Sequence, residues 1–163
     1  MAQYTGKVWV LGDDIDTDII IPTEYLALKT IEDMKQYGFS PLRPELAGQI
    51  KPGDIIVAGK NFGCGSSREQ APEVIKALGI PCIIAKSFAR IFYRNALNNG
   101  LLLLEQPELY DVVKEGDTIT VTVNEDVEYN GKKYPIASLP ENLMEIIEAG
   151  GLVKAMRKRN GLD

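Results

Sequence analysis

Asp54-Ile55-Ile56-Val57-Ala58-Gly59-Lys60-Asn61-Phe62-Gly63-Cys64-Gly65-Ser66-Ser67-Arg68-Glu69-Gln70-Ala71 reads as a buried strand, a glycine-rich loop and the start of a helix. The helix covers residues 69–78 and ends at Gly79. A helix start presents unpaired backbone N–H groups and the positive end of the dipole, which suits a carboxylate or phosphate. Gly63 and Gly65 let the backbone approach a ligand closely, and Arg68 can clamp a carboxylate through two parallel hydrogen bonds. The segment therefore points to a small polyanionic substrate. The same letters also fit a capping box, Ser66-x-x-Glu69, in which the serine only holds the helix start. Pro72 favours a later start near Gln70, because proline beyond the first turn disrupts a helix, and it leaves Ser66, Ser67 and Arg68 in a tight turn. No Gly-Lys-Ser/Thr follows the glycines, so the loop is not a P-loop.

Working outward, strands and helices alternate. Residues 7–11 form a first strand, residues 30–37 a helix, and residues 38–52, with three prolines, an irregular connection. A strand at 81–85 follows, then a helix at 89–98 capped by Ser87 and stopped at Gly100, then a buried strand at 101–104. Residues 117–123 are a clear β pattern, and Asn130-Gly131 between residues 127–129 and 132–134 signals a hairpin. A last helix spans 141–149 and closes at Gly150-Gly151; the basic tail 154–159 reads as a solvated helix end able to dock a partner. The pattern predicts an α/β fold, a single domain over residues 1–163.

Composition narrows the chemistry. With 163 residues and 45% hydrophobic content the chain can bury a core. A net charge of −5 and a pI near 4.9 argue against nucleic acid as a partner. Residues 1–10 are too short and polar for a signal peptide, and no apolar run can cross a bilayer, so no membrane partner is expected. Two cysteines make no disulfide framework and suit a reducing cytoplasm. The chain has no histidine, so no Ser-His-Asp or Cys-His catalysis can run within it. Two thiols also fall short of the four ligands of an iron–sulfur cluster, so no metal or cofactor is expected on this chain. Cys82 suits core packing; Cys64, near a helix start, occupies a place where a thiol pKa is lowered.

Three motifs occur in one order: residues 12–22 (Gly-Asp-Asp-Ile-Asp-Thr-Asp-Ile-Ile-Ile-Pro), the run from Gly63 to Ala71, and residues 86–92 (Lys-Ser-Phe-Ala-Arg-Ile-Phe). Together they resemble the small subunit of 3-isopropylmalate dehydratase, which is similar to the mobile swivel domain of aconitase. The resemblance covers most of residues 7–104. It implies a swivel-like fold, a β-sheet or barrel-like core flanked by helices. It also implies a division of labour, with a separate large subunit holding a 4Fe–4S cluster whose open iron acts as a Lewis acid.

By motif, the resemblance makes Ser66 the residue that removes the carbon-bound proton as an alkoxide. Ser67 becomes a substrate-contacting neighbour, Arg68 the carboxylate grip, and Asp18 an active-site acid that orients other polar groups. A serine hydroxyl is a poor base at neutral pH, so clustered N–H donors, the helix dipole and Arg68 must stabilise its anion. For Asp18 a second reading stays open: Asp13, Asp14, Asp16 and Asp18 can simply cap turns. The glycine and glutamate of an EF-hand are missing.

The same resemblance places Ala27 and Leu28, after Tyr25-Leu26, on a loop facing the variable group of a malate skeleton. Relatives that accept an extra carboxylate present an arginine there. An apolar Ala27 and Leu28 suit an isopropyl or methyl group, although Lys29 can accept a charge. The expected activity is the interconversion of 2- and 3-isopropylmalate, small dicarboxylate hydroxy acids, in leucine biosynthesis. Homoaconitase, a methylmalate or 2,3-dimethylmalate hydro-lyase, and a non-catalytic anion-binding module remain alternatives.

Overall fold

The structure, a computed structural model, describes residues 3–161. The first half runs β1 (Gln3–Leu11), α1 (Thr17–Ile20), a 3-10 turn (Thr23–Ala27), α2 (Ile31–Lys35), α3 (Leu46–Gln49), β2 (Ile55–Ala58) and α4 (Gln70–Ala77). Then come β3 (Cys82–Ala85), α5 (Arg90–Asn98), β4 (Leu102–Glu105) and α6 (Leu109–Val112). The chain closes with β5 (Thr118–Thr122), β6 (Asp126–Tyr129), β7 (Lys132–Pro135), α7 (Glu141–Ala149) and α8 (Leu152–Arg159).

One sheet of order β4-β3-β2-β1-β5-β6-β7 carries the fold. β1 joins two unlike halves. Its second half pairs in parallel with β2 (Val8 with Ile55, Leu11 with Ala58), while its first half pairs antiparallel with β5 (Gln3 with Thr122, Lys7 with Thr118). β2 and β3 are buried along their whole length, which is why they read as unbroken apolar runs.

Alternate residues of these strands serve two cores. Trp9, Leu11, Ile56, Ala58, Ile83 and Ala85 pack with Val74 and Ile75 of α4. Val8, Ile55, Val57, Cys82 and Ile84 pack with Ile119, Val121 and Val127 of the antiparallel strands. The antiparallel half thus curls over the second core, and the mixed sheet forms a half-barrel with helices outside. Each fully buried Ile or Val contributes roughly 1.5–3 kcal/mol.

Two buried polar residues tie distant segments together. Trp9 Nε1 donates to Asp54 Oδ2 at 2.8 Å, and Lys51 N donates to the same oxygen at 2.9 Å. Gln106 accepts from the N–H groups of Glu108 and Leu109 and donates to Pro135 O at 3.3 Å, binding the end of β4 to β7.

Several expectations change. Ser87 does not cap α5; the N-cap is Ala89 without a side-chain bond, and Ser87 Oγ accepts from Asn61 N at 2.8 Å instead. The helix expected over residues 30–37 is shorter, Ile31–Lys35, with Thr30 outside it as the N-cap accepting from Asp33 N. The basic tail forms its own helix, α8, and the irregular stretch 38–52 contains α3. The hairpin turn holds, with Asn130 at φ 53° and Gly131 at φ 80°. Among the described residues no helix is long and apolar enough to cross a membrane.

Candidate active site

Because β1, β2 and β3 are parallel, their carboxyl ends lie at one edge of the sheet, where open α/β folds place their ligands. The three sequence motifs follow those ends and zip together. Between the first motif and residues 59–64, which lead into the middle one, run Gly59 N to Gly12 O (3.2 Å), Asp14 N to Lys60 O (2.8 Å), Gly63 N to Ile15 O (2.7 Å) and Thr17 N to Cys64 O (2.9 Å). Between that same stretch and the third motif run Lys86 N to Gly59 O (3.0 Å), Phe62 N to Ser87 O (3.1 Å) and Ala89 N to Phe62 O (2.9 Å). Phe62 is buried and meets the Phe92 ring edge-on, centroids 5.5 Å apart. The catalytic-loop candidate is therefore a clamped extension of the sheet.

The four aspartates of the first motif divide. Asp13 Oδ1 accepts from Lys60 N at 2.7 Å, Asp14 Oδ1 accepts from Asn61 Nδ2 at 3.1 Å, and Asp16 Oδ1 caps α1 through Ile19 N at 2.9 Å. Those three hold loops. Asp18 alone turns its carboxylate to Arg68, with Oδ1 2.5 Å from Nη2.

Ser66 is exposed and its Oγ has no partner among the described residues, while its carbonyl is gripped by Thr17 Oγ1 at 2.6 Å. The capping-box alternative fails. The N-cap of α4 is Glu69, and no side chain caps the helix. The helix starts at Gln70, as Pro72 requires. The backbone N–H groups of residues 65–70 have no acceptor among the described residues. Such a run of open donors can stabilise an anion as an oxyanion hole does.

Arg68 is mostly buried, at 13% side-chain exposure, and heavily engaged. Nη1 donates to Ile21 O at 3.0 Å, and Nη2 donates to Thr23 Oγ1 at 2.8 Å and reaches Asp18. Thr23 Oγ1 in turn donates to Asp18 Oδ1 at 3.3 Å. Both two-nitrogen forks of the guanidinium are thereby occupied, so a bidentate grip on an incoming carboxylate needs Asp18 or Thr23 to let go. A cleft of about 240 Å³ is lined by Thr17, Gly65, Ser67, Arg68, Arg90 and Phe92, among others.

Ser67 and Arg68 line that cleft, whereas Ser66, Asp18, Ala27 and Leu28 are not among its lining residues. Ala27 ends the 3-10 turn and is exposed, whereas Leu28 packs partly against the first core. Tyr25 is stacked on Tyr37 with centroids 4.0 Å apart, which fixes the segment. The Cys64 expectation is reversed. Burial first, then Asp16 and Asp14, push its thiol up rather than down, so it is a poor nucleophile. Cys82 sits in the second core, pushed up to about 12 by burial. The two thiols lie in different parts of the fold, and no group of three or more His, Cys, Asp or Glu converges among the described residues. This donor set does not fit an iron–sulfur cluster.

Thr17, Thr23 and Arg90 are the functional candidates that sequence reasoning missed. For Arg90 a signal existed: a cation opening a helix opposes the dipole, which asks for an explanation. The threonines gave none, because their partners lie 45 or more residues away.

Comparison with known proteins agrees with this fold. Residues 24–109 match the Aconitase C-terminal domain family. The chain is 80% identical, over 99% of its length and 98% of the relative's, to the 3-isopropylmalate dehydratase small subunit of Lachnospira eligens. It is 47% identical to the isopropylmalate/citramalate isomerase small subunit of Methanocaldococcus jannaschii, covering 94% of each chain. The crystal structure of 3-isopropylmalate dehydratase from the same archaeon superposes with a TM-score of 0.92 at 40% identity, covering 99% of this chain and 97% of that one. A half-barrel with three clamped motifs at its parallel edge, matched over nearly its whole length, belongs to the 3-isopropylmalate dehydratase small-subunit family, built on the Aconitase C-terminal domain.

Proposed function

We propose that this chain acts as the small subunit of a hydro-lyase that interconverts 2- and 3-isopropylmalate in leucine biosynthesis, and that its residue 66 loop supplies the base. The family membership supports the reaction. The observation that carries the base is the Ser66 hydroxyl, exposed and unpartnered on a loop whose backbone is clamped by Thr17.

Ser66 as an alkoxide takes the proton from the carbon next to the one bearing the hydroxyl. The electron pair of that C–H bond forms the double bond as the hydroxyl leaves, giving isopropylmaleate. Rehydration places hydroxyl on the former C–H carbon and returns the proton to the other. The open N–H groups of residues 65–70 stabilise the alkoxide. Asp18 and Thr23 orient Arg68 beside it, and Ser67 lines the cleft next to it.

A large subunit, which the name small subunit implies, completes the site. It is expected to carry the 4Fe–4S cluster, which when bound there supplies a Lewis acid for the substrate's hydroxyl and carboxylate. Ala27 and Leu28 are the pair expected to meet the alkyl group once the large subunit closes the site; Ala27 is exposed, and Leu28 packs partly against the first core.

A second reading extends the substrate to citramalate, which carries methyl where isopropylmalate carries isopropyl. It is favoured by the name of the archaeal relative. Methyl and isopropyl differ by two carbons, and each methylene in an apolar pocket is worth only about 1–3 kcal/mol. The test is kcat/KM of the reconstituted pair across isopropylmalate, citramalate, dimethylmalate and homocitrate. Isopropylmalate is expected to lead, with citramalate next. Homocitrate turned over faster than isopropylmalate would overturn the reading.

A further inference from the structure

Arg90 opens α5 and lines the same cleft as Thr17, Ser67 and Arg68. The first turn of α5 contains no acidic side chain, so the guanidinium meets the positive end of the helix dipole with nothing to offset it. No hydrogen bond or ion pair engages Arg90 among the described residues, and it is exposed to the cleft. Arg68 differs in every respect. Its two forks are filled by Asp18, Thr23 and the Ile21 carbonyl, and the Asp18 carboxylate cancels its charge. The uncompensated cation of the cleft is therefore Arg90.

We propose that Arg90 binds one of the two carboxylates of the malate-type substrate, leaving the Arg68–Asp18 pair to meet the other. This rests on the functional reading above. A malate skeleton is a dianion at neutral pH and brings two planar acceptors about a carbon–carbon unit apart. A guanidinium offers a carboxylate two parallel N–H donors, and in Arg90 both forks are open. The dipole that disfavours Arg90 alone adds to its attraction for the anion, since both carry positive charge into the cleft.

The test uses the reconstituted two-subunit enzyme with Arg90→Met and Arg90→Lys. The probes are the substrate analogue 2-isopropylsuccinate, which lacks the hydroxyl that must leave, and its two monoamides, each lacking one carboxylate charge. In wild type each monoamide is expected to bind at least about tenfold more weakly than the diacid. In Arg90→Met the diacid Ki should rise roughly 10- to 100-fold. One monoamide should then lose its disadvantage against the diacid while the other keeps it. Arg90→Lys should fall between the two, and affinity for the large subunit should stay unchanged. Both monoamide gaps surviving in Arg90→Met, or weakened subunit assembly with unchanged Ki, would overturn the proposal. Failure of the wild-type enzyme to turn over isopropylmalate at all is a different result, and it would remove the functional reading itself.

Discussion

The parallel and antiparallel halves of the sheet share β1 yet differ in what they can do. In the parallel half, every connection must return to the same edge before the next strand begins. Loops at 12–22, 59–69 and 86–89 therefore arrive side by side, although 47 residues separate Asp14 from Asn61. In the antiparallel half the chain reverses at once. β6 and β7 are joined by Asn130-Gly131 alone, and each buries one residue, Val127 paired with Tyr134. Such turns alternate between the two ends of the sheet and deliver nothing to a common place. One half gathers chemistry; the other covers the second core.

Matched glycine substitutions break or sharpen that contrast. Gly63 has φ 86°, and a Cβ built on it would lie 2.2 Å from the Phe92 ring. Gly63→Ala combines positive-φ strain with overpacking, together about 2–5 kcal/mol. It should lower Tm two to three times as far as Gly131→Ala, and it should reduce kcat of the reconstituted enzyme. Gly131 has φ 80° but nothing within 4 Å of a built Cβ, so only the strain of about 1–2 kcal/mol applies there. Activity should be untouched. Thermal melts and kinetics on both variants check this; equal losses in the two halves would contradict the division.

A smaller effect is expected where the halves meet outside the site. Arg43 Nη1 lies 2.6 Å from Glu115 Oε1. Its hydrogen bond, above all, holds the Glu115 carboxyl below the usual carboxylate range, helped by Val10 N–H. A depressed folded-state pKa contributes stability that is present above the unfolded value, about 4.3, and is lost as pH falls through the folded one. The pair is about one-third exposed on the Glu115 side and so screened. Arg43→Met should cost about 0.5–1 kcal/mol at neutral pH. Denaturant melts should show the gap from wild type closing as pH falls below about 4.3. A gap independent of pH would assign the loss to packing over Trp9, whose ring centre lies 5.6 Å from the guanidinium.

The sequence revealed elements whose signals are local. Unbroken apolar runs gave β2 and β3, Pro72 moved the start of α4 to Gln70, and Asn130-Gly131 gave the hairpin. Short pieces such as α1 and α6, four residues each, are too brief for periodicity to reveal. Ser87 looked like a cap because its true partner, Asn61 N, is 26 residues away. The candidate site was legible as loops and residue types, and the resemblance supplied the roles. The engagement of Arg68 by Thr23 and Asp18, the clamp of Thr17 on the Ser66 carbonyl and the open guanidinium of Arg90 are tertiary facts. No spacing in the chain encodes them.

The most direct test of the central claim is Ser66→Ala, assayed with the large subunit for isopropylmalate turnover. Ser66 Oγ caps nothing and bonds nothing among the described residues, so Tm and subunit affinity should stay within error of wild type. Loss of a positioned base typically costs 10²–10⁴ in rate, and kcat should fall by about that factor. A kcat near that of wild type would contradict the assignment of the base to this loop.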